Sequence, residues 1–170
     1  LFIGVALTAL VQSSSAVATI VISMVSAGLS IGSSPNSVLF LILGTNIGTC
    51  VTALISSIGA STNAKRTSVI HLLFNVFGTA VFLVILLLWK DFAAVTLQKW
   101  FSHESTQIAM FHTIFNVIST LIFLPFIKVF IKLSTIFVKE KKEDVRVTYL
   151  DDRFLNTPSL AMEHCRMVTA

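Results

Sequence analysis

Two polar segments interrupt the apolar N-terminal third of this chain. The first is residues 12–15 (Gln-Ser-Ser-Ser), and the second is residues 44–49 (Gly-Thr-Asn-Ile-Gly-Thr), with Thr52 one helical turn further on. Hydroxyl and amide groups donate hydrogen bonds to an anion, and their oxygen atoms suit a hard cation such as sodium. These residue types therefore predict an ion-binding site.

The absence of charge around these segments has a physical consequence. No charged side chain occurs before Lys65, so neutral donors and the ends of helices would have to hold any ion. An anion and a cation bound there would stabilise each other, because opposite charges attract strongly away from bulk water. We therefore expect coupled binding, which symport requires and which a dependence of anion affinity on sodium would reveal.

The composition indicates a membrane protein. Of the 170 residues, 55% are hydrophobic and only 12% are charged, which is too apolar for an ordinary soluble domain. Residues 67–89 and 107–127 are each long enough to cross a hydrocarbon core of roughly 30 Å. Basic residues precede the first of these spans and follow the second, so the positive-inside rule predicts a cytoplasmic C-terminal tail.

The first 64 residues are less regular, and they complete the predicted fold class. Residues 1–29 form two apolar arms around the Gln-Ser-Ser-Ser segment, each too short to span, and predict a re-entrant helical hairpin or a broken helix. Residues 30–36 contain Gly32 and Pro35 and predict a loop. Residues 37–58 predict a span that is broken at residues 44–49. The whole is an all-α polytopic membrane protein, with the transmembrane part ending at residue 138.

The C-terminal part changes composition sharply. Residues 139–148 form a charged cytoplasmic linker, and residues 149–170 carry helical signals but are too few for a domain. The formal net charge is +4. The lysines cluster just after the last apolar segment, where they would anchor the chain at the membrane surface. Basic and aromatic residues are not interleaved as in a nucleic-acid-binding face, so no nucleic acid is expected.

A short pattern occurs twice in the predicted spans. His71, Phe74, Asn75, Val76 and Thr79 recur at the same spacing as a second set, comprising His112, Phe115, Asn116, Val117 and Thr120. The repetition favours a duplicated helix. In each copy His and Asn lie one turn apart, and we expect polar contacts between helices rather than ion binding.

Each polar segment, taken alone, can also be interpreted as a helix-packing contact, which weakens the prediction of an ion-binding site. Serine, threonine and glycine are common where membrane helices pack closely, and Gly44-x-x-x-Gly48 is typical of such contacts. The combination of the two polar segments with the short arms favours a binding site. Catalysis finds no support, since the membrane part lacks paired carboxylates and the chain lacks HExxH, Walker and GxSxG motifs. We expect no enzyme, and no cofactor beyond a coupling sodium ion.

The motifs taken together resemble the sodium/phosphate cotransporter family of the type II class, in its bacterial branch. The resemblance rests on residues 12–16 (QSSSA), 43–49 (LGTNIGT), 64–66 (AKR) and 71–75 (HLLFN). Residues 149–158 (YLDDRFLNTP) also resemble the start of the PhoU-like cytoplasmic domain of many bacterial members, so residues 149–170 are interpreted as a truncated copy of that domain.

The resemblance implies one half of an inverted-repeat transporter. Each repeat of the family supplies one QSSS hairpin and one broken helix, and the hairpin tips meet near the middle of the membrane. This chain has a single QSSS motif and resembles the second repeat, so a first repeat is expected upstream as its partner. The resemblance assigns phosphate to Ser13, Ser14, Ser15 and Asn46, and sodium to Gln12, Ser13, Ser14, Thr49 and Thr52.

The sequence thus predicts a secondary active transporter in the plasma membrane. Sodium and inorganic phosphate would be symported by alternating access, with the lipid bilayer as surroundings. Two alternatives remain open at this stage. One is a sodium-coupled transporter of another small anion, and the other is a membrane anchor or regulator of phosphate signalling that transports nothing.

Overall fold

The computed structural model describes residues 1–140 and four isolated positions beyond them, 159, 162, 163 and 166. The described part of the chain is helical and contains no strand, which confirms the all-α prediction. Three of its helices, Ser37–Ser56, Thr62–Leu88 and Glu104–Phe137, are long and apolar enough to cross a membrane. The predicted linker (139–148) and the start of the PhoU-like domain (149–170) lie almost wholly outside the described residues.

Seven α-helices follow one another in residues 1–140. The first two are short arms, three later ones are long, and a π-helical turn (Ala93–Leu97) and a 3-10 turn (Leu124–Phe126) lie between later helices. In chain order the helices are α1 (Phe2–Val11), α2 (Ser14–Ser26), α3 (Ser37–Ser56), α4 (Thr62–Leu88), α5 (Gln98–Trp100), α6 (Glu104–Phe123) and α7 (Ile127–Phe137).

The break between α1 and α2 is set by two residues with specific backbone roles. Gln12 ends α1 in the left-handed conformation with φ 58°. Apart from glycines, it is the one residue in 1–140 with a positive φ. Ser13 is extended and caps α2, because its Oγ accepts a hydrogen bond from the Ala16 N–H at 3.2 Å. One chain reversal is thus made without a glycine, by a left-handed residue followed by an N-cap.

The predicted break within the third segment is wrong. Helix α3 runs without interruption from Ser37 to Ser56. Its polar side chains are satisfied inside the helix, since Thr45 donates to the Ile42 carbonyl at 2.7 Å and Asn46 donates to the same carbonyl at 3.2 Å. Polar residues that bond back to the preceding turn leave the backbone ladder intact, so they do not require a break.

The two glycines of α3 instead form a close contact with α1. A Cβ atom on Gly44 would collide with the Leu1 carbonyl, and one on Gly4 would collide with the Leu41 carbonyl. At Gly48 the added Cβ would lie 2.6 Å from the Thr8 Cβ and 2.7 Å from the Val5 oxygen. The backbones of α1 and α3 therefore approach closely, as small residues allow in membranes.

Helices α4 and α6 pack through aromatic rings. Phe82 on α4 contacts Phe111 and Phe115 on α6 edge-to-face, with ring centroids 6.1 Å and 5.0 Å apart. Near the 3-10 turn, Phe74 and Phe123 also meet edge-to-face at 5.6 Å. These arrangements match the preferred geometry of aromatic pairs.

The long helices differ in extent from the predicted spans. Helix α4 begins at Thr62 rather than at residue 67, because Ser61 caps it by accepting a hydrogen bond from the Ala64 N–H. Helix α6 ends at Phe123, where Pro125 stands in a 3-10 turn, and α7 continues to Phe137. Arg66 fixes the end of α7 by donating to the Val138 carbonyl at 3.1 Å.

Asn36 ties the loop before α3 to the far end of α4. Its buried side chain donates to the carbonyls of Leu86 and Trp89 at 3.1 and 3.0 Å, and its Oδ1 accepts from the Ala93 N–H. Carbonyl groups at a helix C-terminus have no partner within the helix, so one amide side chain satisfies two of them. These hydrogen bonds fix the N-terminal end of α3, the helix that lies beside the candidate site.

Candidate functional site

The Gln-Ser-Ser-Ser segment lies at the junction of α1 and α2. Gln12 and Ser15 are exposed, and Ser13 and Ser14 are half-buried. Ser13 uses its hydroxyl to cap α2, and the Ser15 carbonyl accepts a hydrogen bond from the Thr19 hydroxyl at 2.9 Å. The remaining hydroxyl and amide groups of the segment stay accessible to a ligand.

Helix ends of opposite polarity meet at this junction. The last carbonyl groups of α1 and the first N–H groups of α2 lack partners within their own helices. A helix C-terminus carries partial negative charge and favours a cation, whereas a helix N-terminus carries partial positive charge and favours an anion. Because Gln12 and Ser13 alone separate α1 from α2, one small region offers complementary surfaces to both kinds of ion.

The contact between α1 and α3 determines what stands beside this junction. Gly4 faces Leu41 and Thr45, whereas Thr8, one turn later, faces Gly48. The contacts advance together along both helices, so α1 and α3 are parallel. One further turn places Gln12 at the level of Thr52, and the junction therefore lies beside the C-terminal half of α3.

The three predicted α3 ligands point in different directions. At 3.6 residues per turn, Thr52 lies roughly 40° around the helix from Gly48, Thr49 roughly 100° and Asn46 roughly 160°. Thr52 thus lies nearest the face that contacts α1. Asn46 is buried on the opposite side, near Cys50, whose Sγ contacts the His71 carbonyl of α4 at 3.6 Å. On this geometry Thr52 lies toward α1, whereas Asn46 points away from it.

The hydroxyl groups near the junction differ in whether they are satisfied. Thr49 donates to the Thr45 carbonyl at 2.9 Å, as Thr45 does to Ile42. Two others, Thr8 Oγ1 and Thr52 Oγ1, are buried without any hydrogen-bond partner in the described part of the chain. A buried hydroxyl without a partner costs about 1–3 kcal/mol. Thr52 was predicted as a ligand, whereas Thr8 was not.

A simple signal distinguishes Thr8 in the sequence. It is the one hydroxyl-bearing residue of α1, whose other residues are apolar or glycine. It also stands one turn before Gln12, on the side of α1 that meets Gly48. A single polar residue on an apolar arm next to a polar segment therefore indicates a candidate addition to that segment's site.

The repeated pattern forms the same local structure in both copies. Asn75 donates to the His71 carbonyl at 3.0 Å, and Asn116 donates to the His112 carbonyl at 2.8 Å. Within residues 1–140 the two imidazole rings make no hydrogen bonds, so the expected bridges between helices are absent at the histidine side chains. Both asparagines thus use an N–H within their own helix.

A cavity of about 330 Å³ lies away from the junction, at the end of the bundle near the loop that Asn36 fixes. Its polar lining comes from the loop, from α5 and from the turn before α6 and the first residues of α6, and includes Ser30, Ser34, Gln98, Ser102, Glu104 and Gln107. Glu104 is its one ionisable residue and would repel an anion. This lining is less suited to phosphate than the uncharged junction.

Among the described residues, no group of three or more His, Cys, Asp and Glu side chains could hold a metal ion. A sodium site in residues 1–140 would therefore use hydroxyl, amide and carbonyl oxygens. The junction offers these in Gln12, Ser13, Ser14 and the unpartnered Thr52 hydroxyl. Such oxygens suit a hard monovalent ion and would not retain a transition metal.

Comparisons with known proteins fit this arrangement. The sequence profile of the family described as Na+/Pi-cotransporter matches residues 1–143. A Bacillus subtilis (strain 168) protein described as "Uncharacterized protein YqeW" is 40% identical over 83 residues, which make up 49% of this chain and 26% of that protein. The chain thus spans about a quarter of the length of this relative. No solved structure matches the chain.

Proposed function

Because the chain belongs to the Na+/Pi-cotransporter family, we propose that it forms one half of a transporter that symports sodium and inorganic phosphate across the plasma membrane. The observation that carries the proposal is the junction of α1 and α2. There an uncharged polar segment separates a helix C-terminus from a helix N-terminus, so a cation and an anion find complementary groups a few residues apart.

Phosphate would bind at the start of α2. The backbone N–H groups of its first turn and the hydroxyls of Ser13, Ser14 and Ser15 are donors, and an anion needs donors. Asn46 is retained as a proposed phosphate contact on the family resemblance. Its amide would have to exchange the hydrogen bond to Ile42 for one to the ligand, with a rotation of the side chain.

Sodium would bind on the α1 side of the same junction. The proposed ligands are Gln12, Ser13, Ser14, Thr49 and Thr52, together with free carbonyl groups at the end of α1. Thr52 supports this assignment because its buried hydroxyl lacks a partner. Sodium and phosphate would then lie at opposite helix ends and attract one another, so occupancy by one raises the affinity for the other.

The remaining parts of the proposal follow from the family pattern and the charge distribution. A first repeat would supply the other hairpin and complete the phosphate site. The basic residues near Lys65 and after residue 127 would lie in the cytoplasm, and the cavity near Glu104 would then lie on the outer side. Transport would proceed by alternating access, driven by the sodium gradient.

Uptake of radiolabelled phosphate by the full-length protein in proteoliposomes tests the proposal. We expect uptake with sodium outside and little uptake when choline replaces sodium. Unlabelled sulfate, arsenate and phosphate are added as competitors of this uptake. If the transporter's substrate is another small anion, that anion should inhibit the uptake more strongly than unlabelled phosphate does. Absence of sodium-dependent uptake by correctly inserted protein would exclude transport and favour the regulatory alternative.

A further inference from the structure

We propose that Thr8 is an additional sodium ligand, contributing its hydroxyl from the last turn of α1 to the site that Thr52 lines from α3. This inference rests on the proposed sodium-coupled function and adds a residue to its cation site. Thr8 is completely buried, with 0% of its surface exposed, yet its Oγ1 has no hydrogen-bond partner.

The isolation of this hydroxyl is unusual among the helical threonines. A threonine in a helix ordinarily bonds back to the carbonyl of the preceding turn, and here Thr19, Thr45, Thr49, Thr67, Thr113, Thr120 and Thr135 do so. In Thr8 the Cβ and Cγ2 atoms pack where Gly48 leaves room for them. The Thr8 Oγ1 makes no such bond to the Gly4 carbonyl.

The position of Thr8 relative to Thr52 points to a shared ligand. Thr8 contacts Gly48, and Thr52 lies one turn beyond Gly48 and about 40° from it around α3. Both hydroxyls are buried and unpartnered, so each of the two facing helices leaves one oxygen atom without a hydrogen bond. Gly48 makes this possible, because any side chain there would separate the helices.

The local electrostatics favour a cation over an anion at this point. Thr8 lies in the C-terminal turn of α1, where carbonyl groups concentrate partial negative charge. No basic side chain lies within α1 or α3. A sodium ion accepts lone pairs from hydroxyl and carbonyl oxygens together, whereas a phosphate oxygen there would face the negative end of the helix.

Substitution by valine isolates the hydroxyl, because Thr8→Val keeps the shape of the side chain. Sodium binding is measured without phosphate, as the rise in the thermal unfolding temperature of the full-length protein when sodium replaces choline. We expect Thr8→Val to weaken sodium binding by about tenfold or more, the factor expected for losing one ligand to a charged group. Thr8→Ser should bind sodium nearly as the wild type does.

Two controls separate this role from a structural one. In choline alone, Thr8→Val should be at least as stable as the wild type, since an apolar group replaces an unsatisfied hydroxyl. Ser119 also has a buried unpartnered hydroxyl, but it lies beside Gly78 between α4 and α6. Ser119→Ala should therefore leave the sodium dependence unchanged.

Wild-type sodium affinity in Thr8→Val would overturn the assignment of Thr8, and so would a defect in Thr8→Ser as large as that in Thr8→Val. In both cases sodium-dependent phosphate uptake by the wild type would leave the proposed function standing. A wild-type protein that neither binds sodium nor takes up phosphate with it would overturn both proposals.

Discussion

Two helix contacts in this molecule are built from different chemistry. Helices α1 and α3 approach through glycines, with carbonyl oxygens where a side chain would otherwise stand. Helices α4 and α6 approach mainly through phenylalanine rings, with the centroids of Phe82 and Phe115 at 5.0 Å. The first contact brings polar backbone together, whereas the second fills space with apolar atoms.

The two contacts also treat their polar groups differently. On α4 and α6, Asn75 and Asn116 each donate an N–H to a carbonyl of their own helix. Between α1 and α3, the hydroxyls of Thr8 and Thr52 are buried and unused. Groups that are already satisfied hold a structure together, while groups left unsatisfied are available to a ligand. Ser119, between α4 and α6, also has a buried unpartnered hydroxyl. The contact between α1 and α3 is the one beside the polar junction, and it is this contact that we propose for binding as well as packing.

The largest expected effect is on the glycine contact. Gly4→Ala places a Cβ against the Leu41 carbonyl, and backbone cannot give way as a side chain can. We expect a loss of about 2–3 kcal/mol in the free energy of unfolding, measured by denaturation in detergent, together with loss of sodium-dependent uptake.

Gly78→Ala is the matched control in the other contact. There the added Cβ lies 3.0 Å from Ser119 Oγ, a side-chain atom that can rotate. The gain in helix propensity of about 1 kcal/mol offsets this contact, so stability should stay nearly unchanged. Equal losses in the two variants would contradict the distinction between the contacts.

The second effect concerns the aromatic contact. Phe115 is completely buried, and Phe115→Ala leaves a cavity. We expect a loss of about 2 kcal/mol, below the roughly 3–5 kcal/mol of water-soluble cores, because lipid rather than water is the alternative surrounding. Phe137→Ala is the control at an exposed position.

In the Phe115→Ala variant that remains folded, the sodium concentration for half-maximal uptake should equal that of the wild type. The measurement is phosphate uptake over a range of sodium concentrations. A shift of that concentration without loss of folded protein would show that the aromatic contact also affects the cation site.

The smallest expected effect on stability compares two capping serines. Ser13 and Ser61 each accept a hydrogen bond from the N–H three residues later, at 3.2 and 3.4 Å. Replacing either by alanine should cost about 1 kcal/mol of helix stability. Phosphate uptake should fall strongly only in Ser13→Ala, because Ser61 caps α4 away from the junction. Similar uptake in both variants would mean that Ser13 only caps its helix.

The sequence anticipated the junction of α1 and α2 but not the continuity of α3. At residues 12–15 a polar segment stands between two arms too short to span, and length alone required a break there. At residues 44–49 the same types of residue occur within a segment long enough to span. Thr45 and Asn46 satisfy themselves against Ile42, an outcome that composition does not distinguish from a broken helix.

Hydropathy, segment length and capping residues act locally along the chain, so membrane residence, the helical class and the polar junction could be predicted from the sequence. Which polar groups remain unsatisfied became clear from the packing of the helices. This packing pairs Gly48 with Thr8 and leaves the hydroxyls of Thr8 and Thr52 buried without partners, whereas Asn46 is satisfied within its own helix. The direction of a side chain and the presence of a partner depend on the neighbouring helix, and that neighbour is set by packing between segments far apart in sequence.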